Sequence, residues 1–98
     1  MPEDLTCTHF AGCIHEHFRI YVDNTNIDVE LVQADVFGAH VDGPGRREPF
    51  SLIFRGPMQP VLPQRIYQIE HAELGALEIF LVPIGPDQHS MLYQAVFN

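Results

Sequence analysis

The sequence predicts an all-β domain of about six antiparallel strands, forming a small barrel or a two-layer sandwich, with a short helix near the N-terminus. Two observations carry this. From Pro49 the chain reads as alternating apolar runs, PFSLIFRGP, QRIYQIEHAELGALEIFLVPIG and MLYQAVFN, cut by Pro and Gly. Strict alternation of that kind marks strands with one face in a core and one in water. The runs are joined mostly by short turns, which suits a meander that curls until its edge strands pair and no open edge remains. With no repeat and no shift in composition, the 98 residues read as one domain, 1–98. A chain of that size buries about 60 to 65% of the surface it exposes when unfolded, so one modest core is the limit.

Asp4 or Thr6 is placed to cap a short helix through about His9 to Gly12, where Gly12 stops it. From Cys13 the pattern changes to period two, with Ile14, Phe18, Ile20 and Val22 on one side and His15, His17, Arg19 and Tyr21 on the other. Asp23-Asn24-Thr25-Asn26 supplies residues that tolerate the left-handed region or bond their own backbone. The chain therefore reverses into a second strand, Ile27 to about Phe37. Gly38 to Glu48, with Gly43, Pro44 and Gly45 ahead of Arg46 and Arg47, reads as a surface loop. Phe50, Leu52 and Phe54 face inward on a third strand that Gly56-Pro57 ends. After the loop MQPVLPQ comes a fourth strand, Arg65 to His71, turned by Ala72 to Gly75 into a fifth, Ala76 to Val82. LEIFLV is apolar on both faces except at Glu78, so the fifth strand is expected to be the most buried. Pro83 to Gln88 makes the last turn before Ser90 to Phe97. Phe50, Phe54, Tyr67, Ile69, Leu77, Ile79, Leu81 and Val96 are the expected core.

Thirteen acidic residues stand against five arginines and no lysine, a formal net charge of −8. An anionic surface without a basic stripe cannot neutralise phosphates, so nucleic acid is not a partner on this reading. The absence of lysine also removes Schiff-base chemistry. No apolar run reaches the roughly 20 residues of a membrane span, and MPEDL is acidic where a signal peptide has a basic start. The default location is cytoplasmic, with an extracellular appendage reached without a signal peptide left open. Cys7 and Cys13 are too few for a disulfide scaffold and are read as thiols.

One cluster resembles a reactive site: Cys7, His9, Cys13, His15 and His17. His15 and His17 would project from one strand face, with Cys13 beside them, and a His-x-His pair can chelate zinc. The spacing matches no closed Cys/His pattern, so the plainer reading is a solvated strand face and no metal. His-x-His on a barrel strand also resembles the cupin metal site. A cupin would carry a Glu a few residues after the second His, where this chain has Phe18-Arg19-Ile20-Tyr21, and its second half, Pro83-Ile84-Gly85 and His89, is one residue out of step. Ser51 and Ser90 lack the turn that exposes a nucleophilic hydroxyl. Glu70 reads as surface and His71 as a turn or cap residue.

The loop Met58-Gln59-Pro60-Val61-Leu62-Pro63 is apolar and framed by proline, so displaying Met58, Val61 and Leu62 to a partner would cost little ordering entropy. Arg55 beside it could add a charged contact at the rim. The segments THFAGCIHEHFRI, PFSLIFRGP, LPQRIYQIEH, LGALEIFLVPIG and YQAVFN resemble a family of small bacterial domains of unknown function, over about Thr8 to Asn98. Pro49, Phe50, Leu52, Arg55, Gly56, Tyr67, His71, Gly75, Phe80, Pro83 and Phe97 match its pattern, whereas the Cys/His cluster does not. The family's association with genes for phage-tail-collar-like fibre proteins implies an accessory or structural part of an appendage. The expected function is therefore a non-enzymatic protein-binding or assembly module without a cofactor, self-association remaining open. The alternative is a small cupin-like enzyme holding zinc through Cys13, His15 and His17.

Overall fold

A computed structural model of the chain describes residues 7–36 and 49–97, and it is a closed six-stranded antiparallel barrel with one short helix. The elements are α1 (Cys7–Ala11), β1 (His17–Val22), β2 (Thr25–Val36), β3 (Phe50–Gly56), β4 (Arg65–His71), β5 (Gly75–Pro86) and β6 (Met91–Phe97). Around the barrel they run β1-β2-β3-β6-β5-β4. Two three-stranded meanders thus meet along the β3–β6 and β1–β4 seams, and closure leaves every strand paired on both sides. The proposed caps Asp4 and Thr6, the end of the second strand at Phe37 and the Gly38 to Glu48 loop lie outside the described residues.

The alternating residues do what their period demands. Phe50, Leu52 and Phe54 of β3, Tyr67 and Ile69 of β4 and Leu77, Ile79 and Leu81 of β5 all face the core. Val96 does not: it is 49% exposed, while Met91, Tyr93 and Ala95 take the inward positions of β6. The parity of this strand is set by Tyr93, whose burial is worth more than that of a valine. Gln94 on the opposite parity already pointed to the outer face. Nor is β5 the most buried strand, because Phe80 is 46% exposed. A barrel has one interior, and a strand apolar on both faces still turns one of them outward.

Turn chemistry accounts for the differences at element ends. Asp23 adopts the left-handed region (φ 52°), so two residues suffice to pair Val22 with Thr25, and β2 begins earlier than Ile27. At the other hairpin, Asp87 Oδ1 accepts the backbone N–H of His89 (2.9 Å) and Ser90 (2.7 Å). That places the reversal after Pro86, and β5 passes through Pro83 and Gly85 by a bulge, Gly85 supplying φ 117°.

Both barrel ends are covered. Phe10 of α1 is fully buried against Phe50, Phe97 and Phe18, with ring centroids 5.8, 5.7 and 6.5 Å away. At the far end of β3, the loop 57–64 inserts Leu62, which is 3% exposed. This loop is tied down twice, by Leu62 N–H donating to Tyr93 Oη (2.9 Å) and by Tyr67 Oη donating to Pro63 O (2.5 Å).

Candidate metal centre

The segment between α1 and β1 is a turn, where the period of the sequence predicts a strand from Cys13. Cys13 N–H donates to Phe10 O (2.8 Å) and Glu16 N–H to Cys13 O (3.0 Å), so the chain wraps back on itself after the plug. His15 sits in the left-handed region at φ 73°, a conformation that histidine enters more readily than most residues. Two bonds to β2 hold it there: His15 N–H to Leu31 O (2.7 Å) and Leu31 N–H to Glu16 O (3.1 Å). The physical reason is geometric. Phe10 must reach the core and β1 must start at the barrel wall, and the chain has to reverse between them.

The reversal sends neighbouring side chains apart. Cys13 is buried, whereas the side chain of His15 is 75% exposed and its Nδ1 lies 2.9 Å from Glu30 Oε2. His17 points outward from β1, opposite Glu30 across the β1–β2 pair. The expected ligand set Cys13, His15 and His17 is therefore not assembled. Its place is taken by Cys13, Glu16 and His71, one donor atom from each lying within 4.8 Å of the others. Cys13 and His71 are buried and Glu16 is half in solvent. This cluster corrects the expectation of a module without a cofactor, since its three residues could hold a metal ion such as zinc.

His71 ends β4 on its inward face, where its ring packs on Phe18 at 4.5 Å between centroids. Its two nitrogens have separate tasks. Nδ1 accepts the backbone N–H of Glu73 (3.1 Å) and Leu74 (3.2 Å), capping the β4–β5 turn as the sequence suggests. Nε2 lies 2.7 Å from Glu16 Oε1, a contact spanning 55 residues. A backbone N–H can only donate, so Nδ1 is the acceptor and the neutral ring carries its proton on Nε2, donated to Glu16.

Burial pushes the Cys13 thiol above its ordinary pKa, and the charge and hydrogen bond of Glu16 push the same way, with Glu73 adding to them. A buried thiol held protonated is a poor nucleophile. His71 is not placed to activate it either, since one nitrogen serves the turn and the other serves Glu16. The set suits a cation instead. Thiolate, imidazole and carboxylate together are the donors of zinc and its neighbours, whereas magnesium and calcium take oxygen alone. A bound dication would also favour the thiolate that burial and Glu16 disfavour.

The expected partner surface is divided. Met58 (43% exposed) and Val61 (51%) are displayed, but Leu62 belongs to the core and is not available for docking. Prolines position the loop, and the hydrogen bond to Tyr93 draws its middle inward. Arg55 is engaged by Asp87 (Nε to Oδ2, 3.5 Å) and Glu30 (3.9 Å). Among the described residues no helix is long and apolar enough to cross a membrane. Cys13 takes part in no disulfide.

The chain belongs to a family whose model matches residues 5–97 and whose description is Domain of unknown function (DUF6916). The match runs through α1 and all six strands, so it includes the three clustered residues. No curated protein and no solved structure matches the chain.

Proposed function

We propose that this domain binds a divalent metal ion of the zinc class through Cys13, Glu16 and His71, as a resident ion that fastens the N-terminal segment to the barrel wall. The reading rests on one observation: soft, nitrogen and oxygen donors from two distant stretches of chain converge within 4.8 Å. Burial of two of the three donors suits an ion held by the fold. Three protein ligands leave a fourth position for water. Elemental analysis of the purified protein should find near-stoichiometric zinc, and cobalt titrated into metal-free protein should give thiolate-to-metal absorption. Cys13→Ala should abolish both, while the double change His15→Asn and His17→Thr, which keeps a residue suited to the left-handed region at position 15, should leave both intact. Failure of the folded wild-type protein to take up either ion overturns the proposal.

A second reading, assembly with another protein, is favoured by the outer surface. Ile66 (62% exposed) and Phe80 (46%) are paired side by side across β4 and β5, and Met58 and Val61 stand on the proline-framed loop. An accessory role in a tail-fibre-like appendage is the form of this reading that the family resemblance implies. Sedimentation of the wild type beside an Ile66→Ser and Phe80→Ser double variant tests it for self-assembly. A larger species lost in the variant supports that face as the contact, and two monomers remove this version of the reading.

A further inference from the structure

We infer that loading the site with a divalent cation releases the β4–β5 turn, so that the presence of the ion is registered at the barrel surface; this rests on the metal reading above. The basis is the division of labour within one imidazole. His71 Nδ1 accepts from Glu73 N–H at 3.1 Å and Leu74 N–H at 3.2 Å, and Nε2, 2.7 Å from Glu16 Oε1, holds the ring proton. A metal-bound histidine has a different inventory: the ion on one nitrogen, and on the other a proton that is donated to an acceptor.

When the cation takes the lone pair at Nε2, the proton there leaves to solvent and one from solvent settles on Nδ1. The Cys13 thiol also gives its proton to solvent, so one proton is released per ion bound. The new Nδ1–H then faces two N–H donors. Three donors with no acceptor among them cannot hydrogen-bond, so the contacts that cap the turn are lost. Glu16 changes from accepting the ring proton to ligating the ion. The turn can move at little cost to the core, because Ala72, Glu73 and Gly75 are exposed and only Leu74 packs partly against the interior.

Nuclear magnetic resonance on the full chain, metal-free and then loaded with zinc, tests this directly. Long-range nitrogen–proton spectra should show His71 as the Nε2–H tautomer without zinc and the Nδ1–H tautomer with it. Amide exchange at Glu73 and Leu74 should accelerate by about two- to tenfold, the factor corresponding to the net worth of one hydrogen bond. If zinc shifts the Cys13 and His71 signals but tautomer and turn exchange stay unchanged, the coupling is overturned and the site stands. If zinc leaves those signals unmoved, the site reading fails and the coupling with it.

Discussion

The two ends of the barrel do the same packing job with different chemistry. At one end α1 inserts Phe10 among Phe18, Phe50 and Phe97, and the chain leaving it carries Cys13 and Glu16 to His71. At the other, the loop 57–64 inserts Leu62 and is tied by two tyrosine hydroxyls. Both lids bury an apolar side chain and satisfy their polar groups locally. Among the described residues no buried side-chain nitrogen or oxygen lacks a partner. Among the described residues, it is the α1 end that brings a thiol, a carboxylate and an imidazole together. The tyrosine-tied end has His89 and Asp87 on its β5–β6 turn, but among the described residues no group of three potential ligands gathers there. That difference is the reason the metal proposal is placed at the α1 end and not at the loop end.

Removing each lid's anchor measures how far the two ends are equivalent. Phe10→Ala should cost about 3 to 5 kcal/mol, from lost transfer energy and the cavity left among three rings. Leu62→Ala should cost about 2 to 5 kcal/mol, with the unfolding midpoint in urea reporting both. A midpoint unchanged by Leu62→Ala would return the loop to the role of a free docking surface. A smaller effect is expected from Tyr93→Phe, which leaves the buried Leu62 N–H without its acceptor and should cost about 1 to 3 kcal/mol. Tyr93→Phe as stable as wild type would mean that water replaces the hydroxyl.

The histidines beside the plug should matter least to stability. Replacing His15 by Asn, which also tolerates the left-handed region, together with His17 by Thr should change it by only a few tenths of a kcal/mol, as is usual for exposed side chains. A large loss on that change would show that the His15–Glu30 contact pins the plug. The acid limb offers the finest test, at Asp87. Its carboxyl is held below the ordinary range by the His89 N–H first, then by Ser90 N–H and Arg55. A carboxyl with a lowered folded pKa adds stability above its unfolded value near 3.9, which is lost as the pH falls through the lowered folded value. The urea midpoint of the wild type should therefore drop more steeply than that of Asp87→Asn as the pH falls below about 4. Parallel curves would remove Asp87 from the account.

Six strands, their order along the chain and most of the core follow from period-two alternation, because inward and outward positions must alternate on a pleated strand. The ends of β3 and β4 coincide with Gly56-Pro57 and His71, and His71 is legible as a turn cap from its place before Ala72 to Gly75. Val96 misleads because β6 has apolar residues on both parities, and Gln94 is the one strongly polar sign of which set faces outward. His15 misleads because strand alternation carries no sign of the reversal that Phe10 forces on the chain. Cys13 is visible as a possible ligand, but its partners are not. Glu16 looks like one more surface acid, and His71 is 55 residues further on. Local sequence determines which residues can form strands and turns, since those preferences act over a few bonds. The meeting of Cys13, Glu16 and His71 depends on how β1 closes against β4, a pairing that only the tertiary structure decides because no local interaction favours it.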